Sequence, residues 1–544
     1  MRDSRGRAVH SRSAAPAPGL TGLIRPHQSF GAWACAAAAL LAAFFPLAQL
    51  ALSASTHAAD SLDWLRIWFN GTLAATLAQT VWVCLVAAVV TLAASAPQAA
   101  AVSMFRFKGA LAVELAALAP MLLAPYAAAG AWAGLDLGRW THGALPMAVQ
   151  IGFSCAPWSY MALRIAIARL PPSLGEAAAA AGMTRWRRIV QVWAPLLAGP
   201  AIAAALFAAA RAFGDYGTAE RNGTWTFGMA FHDMWNGSQS DQVAAVVALG
   251  AAVPALLLAW FASGRAQRHP PRQFAGAAGG ARLDKSRPSK AWLAAILTWS
   301  AVCLLLSFLA PEWQYVRWAI DGQWMGWAKS LRVVGNALAT SGAVALILTA
   351  AGSACAIWLR PGAKAALPER LVWLVAINLF IPPMALALAW LSATADGSWL
   401  GGLLGAARDG QWPVLLAQSA KLAPFALLPV LDRISRENES IREALRVAGI
   451  GRFRVWGHVL RMAAPAIALG AAMVFLEAVK ELEIAITLQH FGYQSPAIKI
   501  HSLARFNAED RIANWVLISQ AMMLPAIAVI TVWLSRMDRA GRLG

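Results

Sequence analysis

Two similar segments of the sequence place a glutamate at the start of an alanine-rich stretch. The first runs from Ser173 through Glu176 to Gly182, and the second runs from Ser440 through Glu443 to Gly449, 267 positions later. Ser-x-x-Glu is the capping-box pattern, in which the two side chains satisfy free backbone donors at a helix start. Alanine favours helix, and glycine permits the turn that ends it. Each segment therefore predicts a short capped helix, a glycine turn and a basic second helix, which must lie on a membrane surface or dock into a partner.

A second set of chemically capable residues ends or interrupts apolar runs: Asp215, Lys480, Glu481 and Glu483. A charge at the centre of a bilayer costs about 2.5–3.5 kcal/mol on insertion scales, so such groups tend to face a cavity or a partner charge. Carboxylates in this position would suit a path for cations. The alternative is that these residues are exposed at the outer interface, or that Lys480 pairs with a neighbouring glutamate.

Motifs of the common catalytic sites are missing from the sequence. A phosphate-binding P-loop needs Gly-Lys followed by Ser or Thr, and the chain has no Gly-Lys dipeptide. It also has no HExxH and no GxSxG pattern. The five cysteines lie inside apolar runs without paired spacing, which indicates small buried side chains rather than a disulfide or metal site. The sequence predicts no enzyme activity, no cofactor and no metal site.

The elements that position these residues are apolar runs of about twenty residues, the length that crosses a bilayer as a helix. Hydrophobic residues make up 59% of the 544 residues and charged residues only 13%, about half the share in soluble domains. This composition excludes a soluble, fibrous or disordered protein, and runs of this length exclude a transmembrane barrel. We predict an all-α membrane protein with twelve spans, near 31–53, 72–95, 109–133, 146–167, 193–212, 242–263, 291–311, 337–359, 371–394, 411–431, 463–479 and 513–535.

A basic, Pro- and Gly-containing stretch separates the first six runs from the last six. We predict a cytoplasmic N-terminal arm at 1–30, a first repeat at 31–263, a cytoplasmic linker at 264–290 and a second repeat at 291–544. The first run exceeds the apolar length of a signal peptide, so we interpret it as a retained span. With both termini inside, 31 of the 45 Lys and Arg residues fall in cytoplasmic segments. This positive-inside bias explains most of the net charge of +19 without a nucleic-acid partner.

The two halves repeat one another at a nearly fixed offset. Asn70 opens the second run and Asn336 opens the eighth, 266 positions later. Proline precedes tryptophan by seven residues in the third and ninth runs, at Pro125 and Pro383. Together with the paired glutamate segments, these matches indicate a tandem duplication whose halves are parallel in the membrane, because six spans return the chain to its starting side.

The paired segments resemble the EAA loop of binding-protein-dependent ABC importer permeases. Glu176-Ala177-Ala178 and Gly182 stand at that loop's spacing, followed by Val192 and Pro195. In the second copy Glu443, Ala444 and Gly449 match, Leu445 replaces the second alanine, and Pro465 falls three residues late. The resemblance implies that these residues couple the spans to an ATP-binding subunit, present in two copies, which hydrolyses the ATP. It also implies a periplasmic solute-binding protein and location in a bacterial inner membrane.

A fused two-copy permease of this length resembles the ferric-iron import type, with thiamine, phosphonate and polyamine importers as relatives. The segments Phe213-Gly-Asp215-Tyr-Gly-Thr218 and Lys480-Glu481-Leu-Glu483 look like the DFGT-like and KEL segments of iron-type permeases. Gly-Asp-Tyr-Gly stands where Asp-Phe-Gly is usual, and Glu483 stands where proline is common. The resemblance implies import of ferric iron, with the other solutes as alternatives.

Two other classes of protein remain as alternatives. A secondary transporter is also built from two six-span halves, and it would carry carboxylates in the middle of its spans without a reason for paired EAA segments. A membrane-embedded enzyme would need a polar catalytic cluster, which the sequence does not offer.

Overall fold

The computed structural model describes most of the chain in helical form. The described residues are 26–55, 72–135, 137–168, 170, 172–238, 244–250, 285, 287–322, 327–359, 372–434, 444–445, 447–490, 493–506 and 508–540. Within these ranges the chain forms no β-strand. Residues 264–284 and 286 of the predicted linker and residues 1–25 of the arm lie outside the described residues, as does Glu443.

The first half contains four long spans and a broken one. Its helices are α1 (Pro26–Ser55), α2 (Thr72–Met104), α3 (Ala110–Leu118), α4 (Pro125–Ala133), α5 (Ala144–Ile167), α6 (Pro172–Ala180), α7 (Arg185–Arg188), α8 (Ala194–Gly214), α9 (Gly217–Arg221) and α10 (Phe227–Ser238). A 3-10 turn, Ala119–Leu122, lies between α3 and α4, and the broken span bends there by 89°. Residues 244–250 are also helical.

The second half follows the same plan. Its helices are α11 (Lys290–Leu304), α12 (Ala310–Asp321), α13 (Trp327–Trp358), α14 (Pro383–Thr394), α15 (Trp399–Leu404), α16 (Trp412–Ile434), α17 (Arg452–Lys480), α18 (Glu483–Thr487), α19 (Pro496–Ala504) and α20 (Glu509–Ala540). A 3-10 segment, Trp373–Leu379, precedes α14, and another, Gly405–Asp409, follows α15.

The predicted spans correspond to helices of the structure. In the described residues eight helices are long and apolar enough to cross a membrane, and the bent pair α3–α4 makes a ninth. Helix α5, the 3-10 segment with α14, and residues 244–250 coincide with three further predicted runs. The chain is therefore an all-helical membrane protein with about twelve spans. The arm ends earlier than predicted, because α1 already begins at Pro26, where proline fits the first helical turn.

A π-helical turn lies just before each of two prolines. Ile189–Trp193 precedes Pro195, and Leu305–Leu309 precedes Pro311. Proline has no backbone N–H and its ring clashes with the carbonyl four residues earlier, so an ordinary helical hydrogen bond cannot form there. The wider turn absorbs the misfit, and in both cases the helix continues as one span.

The first helix of each half packs on the other half. The Phe45 ring of α1 lies 5.0 Å from that of Trp390 in α14, and Asn378 Nδ2 donates to the carbonyl of Ala42 at 2.8 Å. In the opposite sense, Trp299 Nε1 of α11 donates to the carbonyl of Ala93 in α2 at 3.2 Å. These contacts join the two halves, and the ends of α8 and α17 meet through the ion pair of Arg211 and Glu477.

Candidate functional site

The short helix α6 ends in a complete Schellman turn. Gly182 has a φ of 73°, its N–H donates to the carbonyl of Ala179 at 3.0 Å, and the N–H of Met183 donates to that of Ala178 at 3.0 Å. These two bonds satisfy carbonyls that the helix end would leave free. A φ in this range favours glycine over every residue with a side chain.

The segment 444–450 of the second half repeats this turn. Gly449 has a φ of 69°, and the N–H of Ile450 donates to the carbonyl of Leu445 at 3.2 Å. A methyl group built on either glycine would meet no atom within 4 Å, so both turns face open space. We call α6 and the described residues of segment 444–450, with their turns, the paired loops. They are similar in sequence, and their turns share one backbone geometry.

The predicted capping box of the first loop is wrong, because its helix begins before Ser173. Helix α6 begins at Pro172, so Ser173 lies inside the helix and is not its N-cap. The reason is that proline suits the first helical position, with its fixed φ and missing N–H. The prediction of a separate basic second helix also needs correction, because α7 runs through the π turn into α8, and Arg452 opens α17 directly.

The exposed face of α6 consists of small residues around one acid. Glu176 and Ala177 are exposed, Ala178 is buried, and Ala179 to Gly182 are exposed. Ala444 and Gly449 of the second loop are exposed as well, whereas Glu443 lies outside the described residues. A face of this kind allows close approach of another protein surface.

Helix α6 packs directly on the start of the following span. A Cβ on Gly175 would lie 3.0 Å from the buried ring of Trp193, which ends the π turn before α8. Only a residue without a side chain fits at that distance without displacing the ring. Gly175 and Trp193 therefore form a close contact between α6 and the start of α8.

The far ends of α8 and α17 have the same backbone geometry. Asp215 follows α8 with φ −75° and ψ 116°, and Glu481 follows α17 with φ −68° and ψ 115°. Each is followed by one residue in helical conformation and then by a five-residue helix, α9 or α18. The two carboxylates, 266 positions apart, are equivalent in the repeat. We call this region, where α8, α9, α16, α17 and α18 meet, the junction.

Both equivalent carboxylates bind a backbone N–H of the helix that follows. Asp215 Oδ1 accepts from the N–H of Thr218 at 2.7 Å, and Glu481 Oε1 accepts from that of Ile484 at 3.3 Å. This is N-capping geometry at the first turn of α9 and α18. Asp215 and Glu481 are buried, with 6% and 4% of their surface exposed. Their shared role at the junction is to fix the two short helices.

Ion pairs occupy the interior of the junction. Glu477 accepts from Lys480 Nζ at 2.7 Å, and Arg211 Nη1 lies 3.5 Å from its other carboxylate oxygen. Lys421 of α16 pairs with Glu481. Arg211 belongs to the first half and Glu477 to the second, at equivalent positions 266 apart, so this pair crosses between the halves. Buried charges persist in such surroundings only when paired and hydrogen-bonded.

Glu483 is the carboxylate of the junction without a direct partner. It is buried, with 9% of its surface exposed, and no hydrogen bond or ion pair of its carboxylate is found among the described residues. It lies close enough to Glu481 and Asp215 for their charges to act on it. Among the described residues, the junction thus combines three cations, Arg211, Lys421 and Lys480, with four carboxylates, Asp215, Glu477, Glu481 and Glu483. The group has one negative charge in excess when all are ionised.

A polar contact between the halves lies beside the junction. Glu220 of α9 binds His501 Nδ1 and Arg505 Nη2, both at 3.2 Å, and Arg505 also reaches the hydroxyl of Tyr216 at 3.1 Å. Burial lowers the pKa of His501, and the Glu220 charge opposes this shift. His501 is therefore neutral at pH 7, and its bond with Glu220 is a hydrogen bond between a charged and a neutral group.

The predicted site residues fall into two groups in the structure. The described coupling residues of the paired loops are exposed except for Ala178, and those of the first loop lie at the opposite end of α8 from Asp215. Asp215, Lys480, Glu481 and Glu483 lie together in the junction. The alternative that these four are exposed at the outer interface is wrong, because all four are buried. Pairing or backbone hydrogen bonds compensate the burial of Asp215, Lys480 and Glu481. The expected pairing of Lys480 with a neighbouring glutamate is found, with Glu477.

Sequence reasoning missed three residues of the junction, Arg211, Lys421 and Glu477. Each is a lone charge inside an otherwise apolar run, at 193–212, 411–431 and 463–479. That signal alone marks a candidate functional position in a membrane protein. In the part of the chain that the structure describes, no group of three or more His, Cys, Asp and Glu side chains is placed to hold a metal ion.

Comparison with known proteins gives one family match. The family model of the binding-protein-dependent transport system inner membrane component matches residues 85–267 and again residues 288–540. The two matches cover both halves of the chain and most of its length. No curated protein matches the chain.

Proposed function

The chain belongs to the family of binding-protein-dependent transport system inner membrane components, and from this premise we propose that it imports ferric iron. Family membership makes it the permease component of an ABC transporter, a multi-pass membrane protein with two copies of the family domain. The finer assignments are the solute, the coupling residues, the path and the partners. We also propose that the protein lies in a bacterial inner membrane with both termini inside.

We propose that each of the paired loops docks one ATP-binding subunit, so that two copies bind one chain. The coupling residues are Glu176, Ala177, Ala178 and Gly182 in the first loop and Glu443, Ala444 and Gly449 in the second. The equivalent Schellman turns support this, because two like surfaces suit two copies of one partner. The exposed small side chains permit close contact, and the Gly175–Trp193 contact offers a route from the partner to α8.

ATP hydrolysis is assigned to that partner, because the sequence has no P-loop of its own. A periplasmic binding protein would deliver the solute at the opposite ends of the spans. We propose that the first repeat spans residues 31–263 and the second spans 291–544, joined by a cytoplasmic linker at 264–290.

We propose that the translocation path passes the junction, along Asp215, Lys480, Glu481 and Glu483. The observation that carries the cation assignment is the surplus carboxylate at Glu483, buried and without a direct partner. An unpaired carboxyl group beside two carboxylates can ionise when a cation approaches and offers nothing to an anion, which speaks against a phosphonate. A hard cation such as ferric iron suits carboxylate oxygens. Weak binding there is compatible with release, since an importer must let its cargo go.

Thiamine and polyamines remain alternative cargoes, because they are cations as well. Buried charges within spans are also a feature of secondary transporters, yet the double family match favours the ABC class.

The solute is tested by uptake in cells with and without the gene, under iron limitation. Labelled ferric iron, thiamine, a polyamine and an aminophosphonate are compared. We expect deletion to abolish the iron uptake that this system supplies and to leave the other three unchanged. Unchanged iron uptake together with loss of one of the others would overturn the solute and leave the permease assignment in place.

A further inference from the structure

Prolines distort two neighbouring spans on one side of the first repeat. Pro120 and Pro125 lie at the 89° bend between α3 and α4, and Pro311 follows the π turn Leu305–Leu309 between α11 and α12. A broken span and a bulged span cannot pack along their lengths like two regular helices. Where both meet α5, a cavity of about 220 Å³ remains.

The lining of this cavity is almost wholly apolar. The broken span contributes Leu123 and Trp132, α5 contributes Val149 and Phe153, and the π turn contributes Leu306. The polar side chains of the lining are Gln150, Ser154 and Ser307, and Gln150 Oε1 already accepts from Asn222 Nδ2 at 2.8 Å. A water molecule needs two to four polar partners, and apolar cavities of about 150 Å³ stay dry and bind small hydrocarbons. The chemistry of the lining therefore selects a hydrocarbon.

The mouth of the cavity opens on the surface that faces lipid. Trp140, Leu145 and Leu306 line it and are 66%, 44% and 38% exposed. Leu305 and Leu309, which flank Leu306 on the same π turn, are 51% and 46% exposed. Exposed leucines on a spanning helix contact lipid, and tryptophans are enriched where the hydrocarbon meets the headgroups. The cavity is thus continuous with the interface between protein and bilayer.

We propose that this cavity binds one acyl chain of a membrane phospholipid, inserted between α5 and the π turn with its headgroup near Trp140. The bound chain fills the space that the prolines leave open and restores packing contacts to the lining side chains. The site lies apart from the junction and from the paired loops, and it requires only that the protein spans a membrane.

The test uses the purified chain in lipid nanodiscs of phosphatidylethanolamine and phosphatidylglycerol. A fraction of the lipid carries a photoactivated diazirine within one acyl chain. Peptide mapping after illumination should show labelling of the peptides with Val149 and Leu306 at least fivefold above that of Leu346, a 72% exposed residue of α13. Equal labelling of the lining and of Leu346 would overturn the proposal, and this arm needs no variant.

The second test uses a variant whose larger side chain fills the cavity. Val149→Trp should reduce labelling at Leu306 at least fivefold, because the indole occupies the space of the chain. Val89→Trp, the same change at a 66% exposed position of α2 outside the cavity, should leave that labelling unchanged. Unchanged labelling at Leu306 in folded Val149→Trp would also contradict the site. If that variant does not fold, the labelling of the lining relative to Leu346 in the unsubstituted protein tests the proposal.

Discussion

The two halves of the molecule are alike at the paired loops and unlike at the junction. In the loops, Gly182 and Gly449 have φ values of 73° and 69°, and the same hydrogen bond closes both turns. At the junction, the capping carboxylates Asp215 and Glu481 are preserved in role. The residues around them differ in charge and size, so one duplicated chain has kept one region symmetric and changed the other.

Three of the four differences at the junction place a charge on the second half alone, and at the fourth the two halves carry opposite charges. Glu477 is equivalent to Arg211, Lys480 to Gly214 and Glu483 to Gly217, and Lys421 corresponds to Ser154 when Pro424 is aligned with Pro157. Five of the seven charged groups described there belong to the second half. A symmetric surface suits two copies of the same partner, whereas an asymmetric centre suits a single small solute. The comparison thus separates the region proposed for ATPase docking from the region proposed for the path.

Loss of both loop glutamates should have the largest effect. Glu176→Ala combined with Glu443→Ala should abolish uptake while the chain remains in the membrane at its normal level, because the proposed contact with the ATPase is lost at both sites. Each single variant should reduce uptake to a similar degree, as the loops are equivalent. Asp409→Ala, at an exposed acid on another surface, is the control and should transport normally. Normal uptake by the double variant would remove the coupling assignment.

Removal of Lys421 should have the next largest effect. Lys421→Ala leaves the buried carboxylate of Glu481 without its ion partner, and breaking such a pair costs about 3–5 kcal/mol. Ser154→Ala at the equivalent position should change stability by only about 0.5 kcal/mol. Unfolding of both variants in detergent, followed by tryptophan fluorescence, measures the difference. Equal effects of the two substitutions would contradict the asymmetry of the junction.

Glu483 and Gly217 occupy equivalent positions, so a substitution at each compares the two halves at one site. Glu483→Gln removes a carboxyl group that can ionise against a passing cation and should lower cation uptake about tenfold, or about 1.4 kcal/mol in the barrier, without loss of stability. Gly217→Ala places a methyl group 2.8 Å from Leu482 Cδ2, and overpacking of this kind costs about 1–3 kcal/mol in stability. Transport assays and thermal unfolding together separate the two outcomes. A Glu483→Gln protein with full uptake would exclude a role for the charge.

The smallest effect is expected from the turn glycines. Gly182→Ala and Gly449→Ala place a side chain in the left-handed region at a cost of about 1–2 kcal/mol, confined to the exposed turns. Hydrogen exchange of the flanking amides should rise by a similar factor in both variants. Asparagine, which tolerates this region better, should restore part of the protection. A rise at only one of the turns would show that the loops are not equivalent.

The sequence predicted the architecture well because apolar runs and their length report directly on spans. Twelve runs, two halves and the glycine turns at Gly182 and Gly449 all correspond to structural features. The register of the capping box at Ser173 could not be predicted, since Pro172 competes for the helix start. The bend in the third span was also hidden, because hydropathy treats Pro120 and Pro125 as part of one apolar run.

The composition of the junction needed the structure. Four of its residues were predicted from charges at the ends of runs, yet their burial depends on partners from other spans. Lys421 lies 60 positions from Glu481, and Arg211 lies 266 positions from Glu477. A single sequence does not state which distant charges pair. The exchange of α1 and α11 between the halves is hidden for the same reason.

Photocrosslinking at equivalent positions of the paired loops tests the central claim most directly. A benzoylphenylalanine placed at exposed Ala177 or Ala444 is activated in intact membranes, with Leu403, 75% exposed on α15, as the control position. We predict that both loop positions capture the same polypeptide, that mass spectrometry identifies a P-loop in it, and that the control captures none. Capture of no nucleotide-binding protein at either loop, in a membrane where the transporter is active, would contradict the account.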